Sequence, residues 1–119
     1  MYMSRHILAE DKIHPNVVGR VANLNKRFVD EIQQQVDSNE IVILGMMGNP
    51  HCYAAQSHMK KLGKEYLYLE YGSYLTQWRK RNALKMWTGW PTFPMVFVKG
   101  QFVGGASDLK KLIKSGELK

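Results

Sequence analysis

The first hydrophobic pattern along the chain is that of an amphipathic helix. Five apolar residues recur at intervals of three and four, namely Val21, Leu24, Phe28, Ile32 and Val36. This spacing places them on one face of an α-helix, and the polar residues 37–39 end the pattern. We therefore predict a helix over residues 17–38. Residues 1–16 show no periodicity and are broken by His14-Pro15, so we expect an extended arm there.

A short apolar run and a helix start follow. Residues 41–44 read Ile-Val-Ile-Leu, which is typical of a strand that is buried on both faces. Asn49 and Pro50 are residue types preferred at the N-cap and first position of a helix, and Gly63 suits its end. Four apolar residues share one face of this predicted helix: Cys52, Ala55, Met59 and Leu62.

The second half of the chain alternates strands and helices around one irregular segment. Pro91 and Pro94 exclude regular structure from residues 89–94, because proline has no backbone N–H to donate. The other patterns predict a strand at 66–69, a helix at 74–87, a hairpin of strands at 95–98 and 101–103, and a final helix carrying Leu109, Leu112 and Ile113.

The order helix, β, α, β, α, β, β, α predicts an α/β fold with a mixed four-stranded sheet and helices on both faces. A chain of 119 residues is the size of one domain. We expect that domain at 17–119, with the extra N-terminal helix at 17–38 and the sheet-forming core at 40–119.

Charge and composition restrict the function classes. The chain carries 17 Lys and Arg against 10 Asp and Glu, a net charge of +7. Such a surface keeps a protein in solution and attracts anionic partners, but no nucleic-acid-binding motif is found. The basic group Arg79-Lys80-Arg81 is expected to face solvent. No apolar window has the length of a membrane span and no secretory signal is evident, so we expect a cytoplasmic protein.

Several separated motifs give the chain a resemblance to the glutaredoxin family, whose members have the thioredoxin fold. The resemblance covers about two thirds of the chain, from Ile41 onward, and is strongest to the monothiol branch because of a Trp-Pro-Thr-x-Pro segment. The matching motifs are Trp90-Pro91-Thr92-Phe93-Pro94, Val96-Phe97-Val98-Lys99-Gly100, Gly104-Gly105 and Ser115-Gly116-Glu117-Leu118.

This resemblance implies a role in cell redox homeostasis and a glutathione site. The proline that matches Pro94 is cis in glutaredoxins, and the backbone of the residue before it, here Phe93, pairs with the cysteine part of glutathione. The γ-glutamyl end is held at the following glycine pair and helix start. In this sequence those positions are Gly105, Ala106, Ser107 and Asp108. A helix start presents free N–H groups that suit a carboxylate.

The redox motif departs from the family. Cys52 is the only cysteine, so no intrachain disulfide can form. Aligned without gaps, residues 49–52 (Asn-Pro-His-Cys) fall on the dithiol motif Cys-Pro-x-Cys, which puts Asn49 at the attacking position. An alternative register with a loop deletion places Cys52 there instead, on Cys-Gly-Phe-Ser. Met46 and Met47 replace the basic residue that glutaredoxins carry before the motif.

Cys52 has two interpretations. Near a helix start its thiol pKa is lowered by the helix dipole, which favours reactivity. On an apolar stripe, however, it is a small buried residue without chemistry. His51 and His58 do not suggest a metal site with it, because the chain has no second cysteine. We assign no metal.

Three functions from different classes remain open. The first is a glutaredoxin-like protein with a degenerate active site that binds glutathione or a protein partner. The second is a monothiol glutaredoxin that uses Cys52, either as a disulfide oxidoreductase or as a carrier in which Cys52 and glutathione ligate a 2Fe–2S cluster. The third is a basic protein that associates with nucleic acid. The sequence favours the first function; it leaves open whether the chain is an enzyme, and it does not define the oligomeric state.

Overall fold

A computed structural model describes residues 5–118 of the chain. Residues 1–4 of the predicted arm and residue 119 lie outside that range. The helices are α1 (Pro15–Asn23), α2 (Lys26–Ser38), α3 (Pro50–Leu62), α4 (Trp78–Thr88) and α5 (Ala106–Ser115), with a short 3-10 turn at Glu10–Lys12. The strands are β1 (Ile41–Gly45), β2 (Leu67–Glu70), β3 (Met95–Val98) and β4 (Gln101–Gly104).

The four strands form one mixed sheet in the order β2-β1-β3-β4. Strand β1 runs parallel to β2 and antiparallel to β3, and β3 and β4 form the antiparallel hairpin predicted around Lys99-Gly100. The predicted fold class is confirmed, and the four strands lie within one residue of their predicted bounds.

Strand β1 lies between two hydrophobic layers. Alternate residues point to opposite faces of a strand, so Val42 and Leu44 contact one layer and Ile41 and Ile43 the other. The first layer is completed by Ile32 and Val36 of α2 and by Leu84 of α4. The second contains Ala55 and Met59 of α3 and Leu109 of α5. The continuous apolar run of β1 reflects this two-sided burial.

The predicted helix over residues 17–38 is in fact two helices. Helix α1 begins at Pro15, inside the predicted arm, where His14 Nδ1 accepts a hydrogen bond of 3.0 Å from the Asn16 N–H. The break lies at Asn25, which has a φ of 56°; asparagine adopts this left-handed conformation more readily than most residues. Val21 and Leu24 continue the apolar spacing but are 53% and 60% exposed, so periodicity alone did not reveal the break.

The helix predicted over residues 74–87 starts four residues later, at Trp78. Before it, Ser73 and Thr76 close a turn in which the Ser73 N–H donates to Thr76 Oγ1 at 3.0 Å. Gln77, with a φ of 52°, then directs the chain into α4. The serine and threonine hydroxyls therefore stabilise a turn where the apolar pattern predicted helix.

The expectation that the basic group 79–81 faces solvent is wrong for Arg81. Its side chain is buried, with 7% exposure, and Nη1 donates to the carbonyl oxygens of Tyr71, at 2.8 Å, and Thr76. The guanidinium thus supplies donors to carbonyls of the loop between β2 and α4. Arg79 and Lys80 are exposed. Within residues 5–118 no helix has the length and apolar character of a membrane span.

We expect Arg81→Met to lower the free energy of unfolding by about 2 kcal/mol, because it leaves two loop carbonyls without their charged donor. Urea unfolding followed by circular dichroism measures the change. The matched control is Arg79→Met, two residues earlier on the exposed side of α4, which should cost less than about 1 kcal/mol. Equal losses in the two variants would contradict the structural role of Arg81.

Candidate functional site

A cleft lies where the amino ends of α3 and α5 approach the irregular segment before β3. It encloses about 290 Å³. The structure brings together there the predicted ligand residues of two distant segments, Phe93 and Pro94 with Gly105 to Asp108. The full lining is His51, Trp90, Thr92, Phe93, Pro94, Gly105, Ala106, Ser107 and Asp108.

Asn49 connects the start of α3 to the irregular segment before β3. Its Oδ1 caps α3 by accepting hydrogen bonds from the N–H groups of His51, at 2.8 Å, and Cys52, at 3.3 Å. Its Nδ2 donates to the Phe93 carbonyl oxygen at 3.4 Å. The Phe93–Pro94 peptide bond is cis. Asn49 is only 8% exposed, so it holds the cleft in place and does not form part of its wall.

The start of α5 presents backbone donors to the cleft. The Gly105 N–H donates to Asp108 Oδ2 at 3.0 Å, and the first backbone bond within the helix comes from the Leu109 N–H to the Gly105 carbonyl. The N–H groups of Ala106 and Ser107 precede that bond, so they have no acceptor within the helix. A carboxylate or another anion in the cleft could accept from them, assisted by the positive end of the helix dipole.

Cys52 lies on the buried face of α3, as its apolar stripe predicts. Its side chain is 0% exposed and packs in the layer that contains Met46, Phe93 and Met95. Burial raises the pKa of the Cys52 thiol, although the Met46 N–H, which donates to Sγ at 3.4 Å, acts in the opposite direction. At neutral pH the group is therefore a thiol, which is a weak nucleophile.

Three residues of the cleft wall were not assigned to it from sequence. His51 and Thr92 line it, and Trp90 does so with a buried indole Nε1 that has no hydrogen-bond partner among residues 5–118. His51 follows Pro50 in the first turn of α3. This position beside the predicted helix start could have indicated that His51 lines the cleft. His58 lies in another groove, so the structure does not bring the two histidines together.

Comparisons with known proteins agree on one family. The family model for glutaredoxin matches residues 41–103. A glutaredoxin-like protein from Dictyostelium discoideum is 36% identical over 99% of this chain and 94% of its own length. The mitochondrial monothiol glutaredoxin-S4 of Oryza sativa is 26% identical over 98% of this chain, which spans 64% of that protein. A solved buckwheat glutaredoxin–glutathione complex superimposes with a TM-score of 0.70 at 28% identity, covering 78% of this chain and 84% of that one.

We expect Cys52 in the folded protein to react with iodoacetamide at least about tenfold more slowly than in urea, because burial limits both access and thiolate formation. Since its pKa is raised, the native rate should also increase at higher pH than the unfolded rate does. Mass spectrometry over time measures both. In the control Cys52→Ser/Ser57→Cys, the thiol moves to an exposed position of the same helix and should react rapidly. Equal rates in the wild type and the control would contradict the burial of Cys52.

Proposed function

The chain belongs to the glutaredoxin family, and we propose that it binds glutathione in the cleft without catalysing thiol–disulfide exchange. One observation carries this proposal. In the ungapped register the position that matches the attacking cysteine is Asn49, whose carboxamide bonds both to the start of α3 and to Phe93. A carboxamide cannot attack a disulfide, because exchange requires a thiolate.

The cleft offers donors for the carboxylate of glutathione. The Ala106 and Ser107 amides lie at the start of α5, where a negative group is favoured. The Nε1 of Trp90, which has no hydrogen-bond partner within the described part of the chain, is a further buried donor in the cleft wall. Such a group is costly unless a ligand or water satisfies it. The cleft volume of about 290 Å³ is at the lower limit for small-molecule sites.

The second contact predicted for glutathione involves the Phe93 backbone. The Phe93 carbonyl oxygen already accepts from Asn49 Nδ2, at 3.4 Å, which is longer than a typical hydrogen bond of this type. A carbonyl oxygen has two lone pairs, so an amide N–H from the cysteine part of glutathione, or from an extended segment of a protein partner, can bond to the same oxygen beside Asn49. Asn49 therefore orders this acceptor, and Met46 and Met47 add no positive charge there.

The monothiol alternative requires Cys52 at the cleft. Cys52 is buried and lies outside the cleft wall, and its raised pKa opposes thiolate formation. A shared 2Fe–2S cluster likewise requires an accessible cysteine thiolate, so Cys52 does not fit that cofactor. The alternative of nucleic-acid association through residues 79–81 also loses support, because the Arg81 side chain is buried and donates to a backbone carbonyl of the fold.

We expect Ala106→Pro to weaken glutathione binding about tenfold, as measured by calorimetry, because it deletes one amide donor at the cleft. Proline is tolerated at the first position of a helix, and Gly105 already has the extended conformation required before proline. Ala106→Ser keeps the amide and should bind like the wild type. Equal affinities in the two variants would place the ligand carboxylate elsewhere, and no binding to the wild type would reject the glutathione proposal.

We also expect the wild type to show little glutathione–disulfide oxidoreductase activity and Cys52→Ser to leave it unchanged. Asn49→Cys restores a Cys-Pro-x-Cys pair with a thiol at the start of α3, where the helix dipole favours the thiolate. It should raise turnover above the wild-type level in a glutathione-coupled assay. Asn49→Ser, which keeps a capping hydroxyl but supplies no thiol, is the matched control. Brisk wild-type turnover that Cys52→Ser abolishes would support the monothiol enzyme instead.

A further inference from the structure

A second groove lies between α3 and α5, beyond the cleft. Its walls come from the later turns of both helices, and it encloses about 340 Å³. His58 follows His51 by seven residues on α3, which separates the groove from the cleft by roughly 10 Å along the helix. We call it the basic groove; its lining is His58, Lys61, Leu62, Lys110, Ile113 and Lys114.

The basic groove concentrates positive charge. Its lining contains three lysines and no Asp or Glu. The ion pairs found among residues 5–118 are Lys26–Asp30, Arg27–Glu31 and Lys64–Glu40, so none involves a lysine of the groove. Burial, followed by the charges of Lys110 and Lys61, lowers the pKa of His58. The histidine thus experiences the positive potential of the groove directly.

We propose that the basic groove binds a small organic phosphate. A phosphate monoester carries nearly two negative charges at neutral pH and three acceptor oxygens, which suits a pocket lined by three lysines. Lysine is a common phosphate ligand. Leu62 and Ile113, both half-buried, provide an apolar surface for the organic part. An anion bound there also relieves the mutual repulsion of Lys61, Lys110 and Lys114.

A long nucleic acid suits this surface less well. Nucleic-acid binding depends on cations that follow a phosphate backbone over several residues. The exposed basic pair Arg79 and Lys80 belongs to α4, which packs against the opposite face of the sheet from α3 and α5. The basic groove and that pair therefore do not form one continuous track.

Pyrophosphate is the probe for this site, titrated at low ionic strength into ¹⁵N-labelled full-length protein. We expect saturable amide shifts that map to the basic groove, together with a rise in the pKa of His58 in proton NMR, because the bound anion offsets the lysine charges. Lys110→Gln should weaken binding about three- to fivefold, the effect of one partly exposed ionic contact. Lys111→Gln removes the same charge from the next residue, which lies on another face of α5 beside Phe102 and Leu112, and should change the affinity less than about twofold.

Three results would overturn the proposal. Equal weakening by Lys110→Gln and Lys111→Gln would mean that only net charge attracts the anion. Shifts confined to the Ala106 and Ser107 amides would assign phosphate to the cleft. Binding of a single-stranded oligonucleotide at the groove, without binding of pyrophosphate, would favour nucleic acid. Glutathione binding at the cleft is measured separately, from the amide shifts at the start of α5. Either proposal can therefore fail while the other stands.

Discussion

The site depends on one carboxamide. Asn49 Oδ1 accepts hydrogen bonds from two N–H groups in the first turn of α3. Its Nδ2 donates a hydrogen bond to the carbonyl oxygen of Phe93, a residue 44 positions away in the chain. These contacts fix the start of α3 against the segment that contains the cis Phe93–Pro94 bond. The cleft wall requires both elements to keep their relative position, because His51 comes from α3 and Phe93 and Pro94 come from the segment before β3. A buried amide with both ends bonded is a rigid connector.

The same residue is central to the proposed loss of thiol chemistry. In the ungapped register Asn49 stands where a glutaredoxin has its attacking cysteine, and the one remaining thiol is enclosed in the core with Met46 and Phe93. Burial favours the neutral thiol of Cys52, so the helix dipole near it has little thiolate to stabilise. The structure does contain a cleft whose wall combines the start of α5 with the cis-proline segment.

Much of the fold could be predicted because local patterns and the sheet agree. The Ile-Val-Ile-Leu run of β1 is apolar at every position since both of its faces are covered, and Asn49-Pro50 marks the start of α3 by the same chemistry that caps it. Two departures from the predicted helices lie at Asn25 and in the turn at Ser73. At each site the apolar spacing continues while a left-handed residue or a side-chain hydrogen bond redirects the backbone.

The sequence by itself determined the element order, the fold family, the cap at Asn49 and the absence of a second thiol, because each of these depends on residue type and on near neighbours in the chain. Only the tertiary structure decided that Arg81 is internal, that His51 and Trp90 line the cleft, and that Lys61 and Lys110 line one groove. The cleft and the groove join segments far apart in the chain, and Arg81 contacts the loop that precedes its own helix. They arise from how helices pack on a sheet, which periodicity within a single helix does not specify.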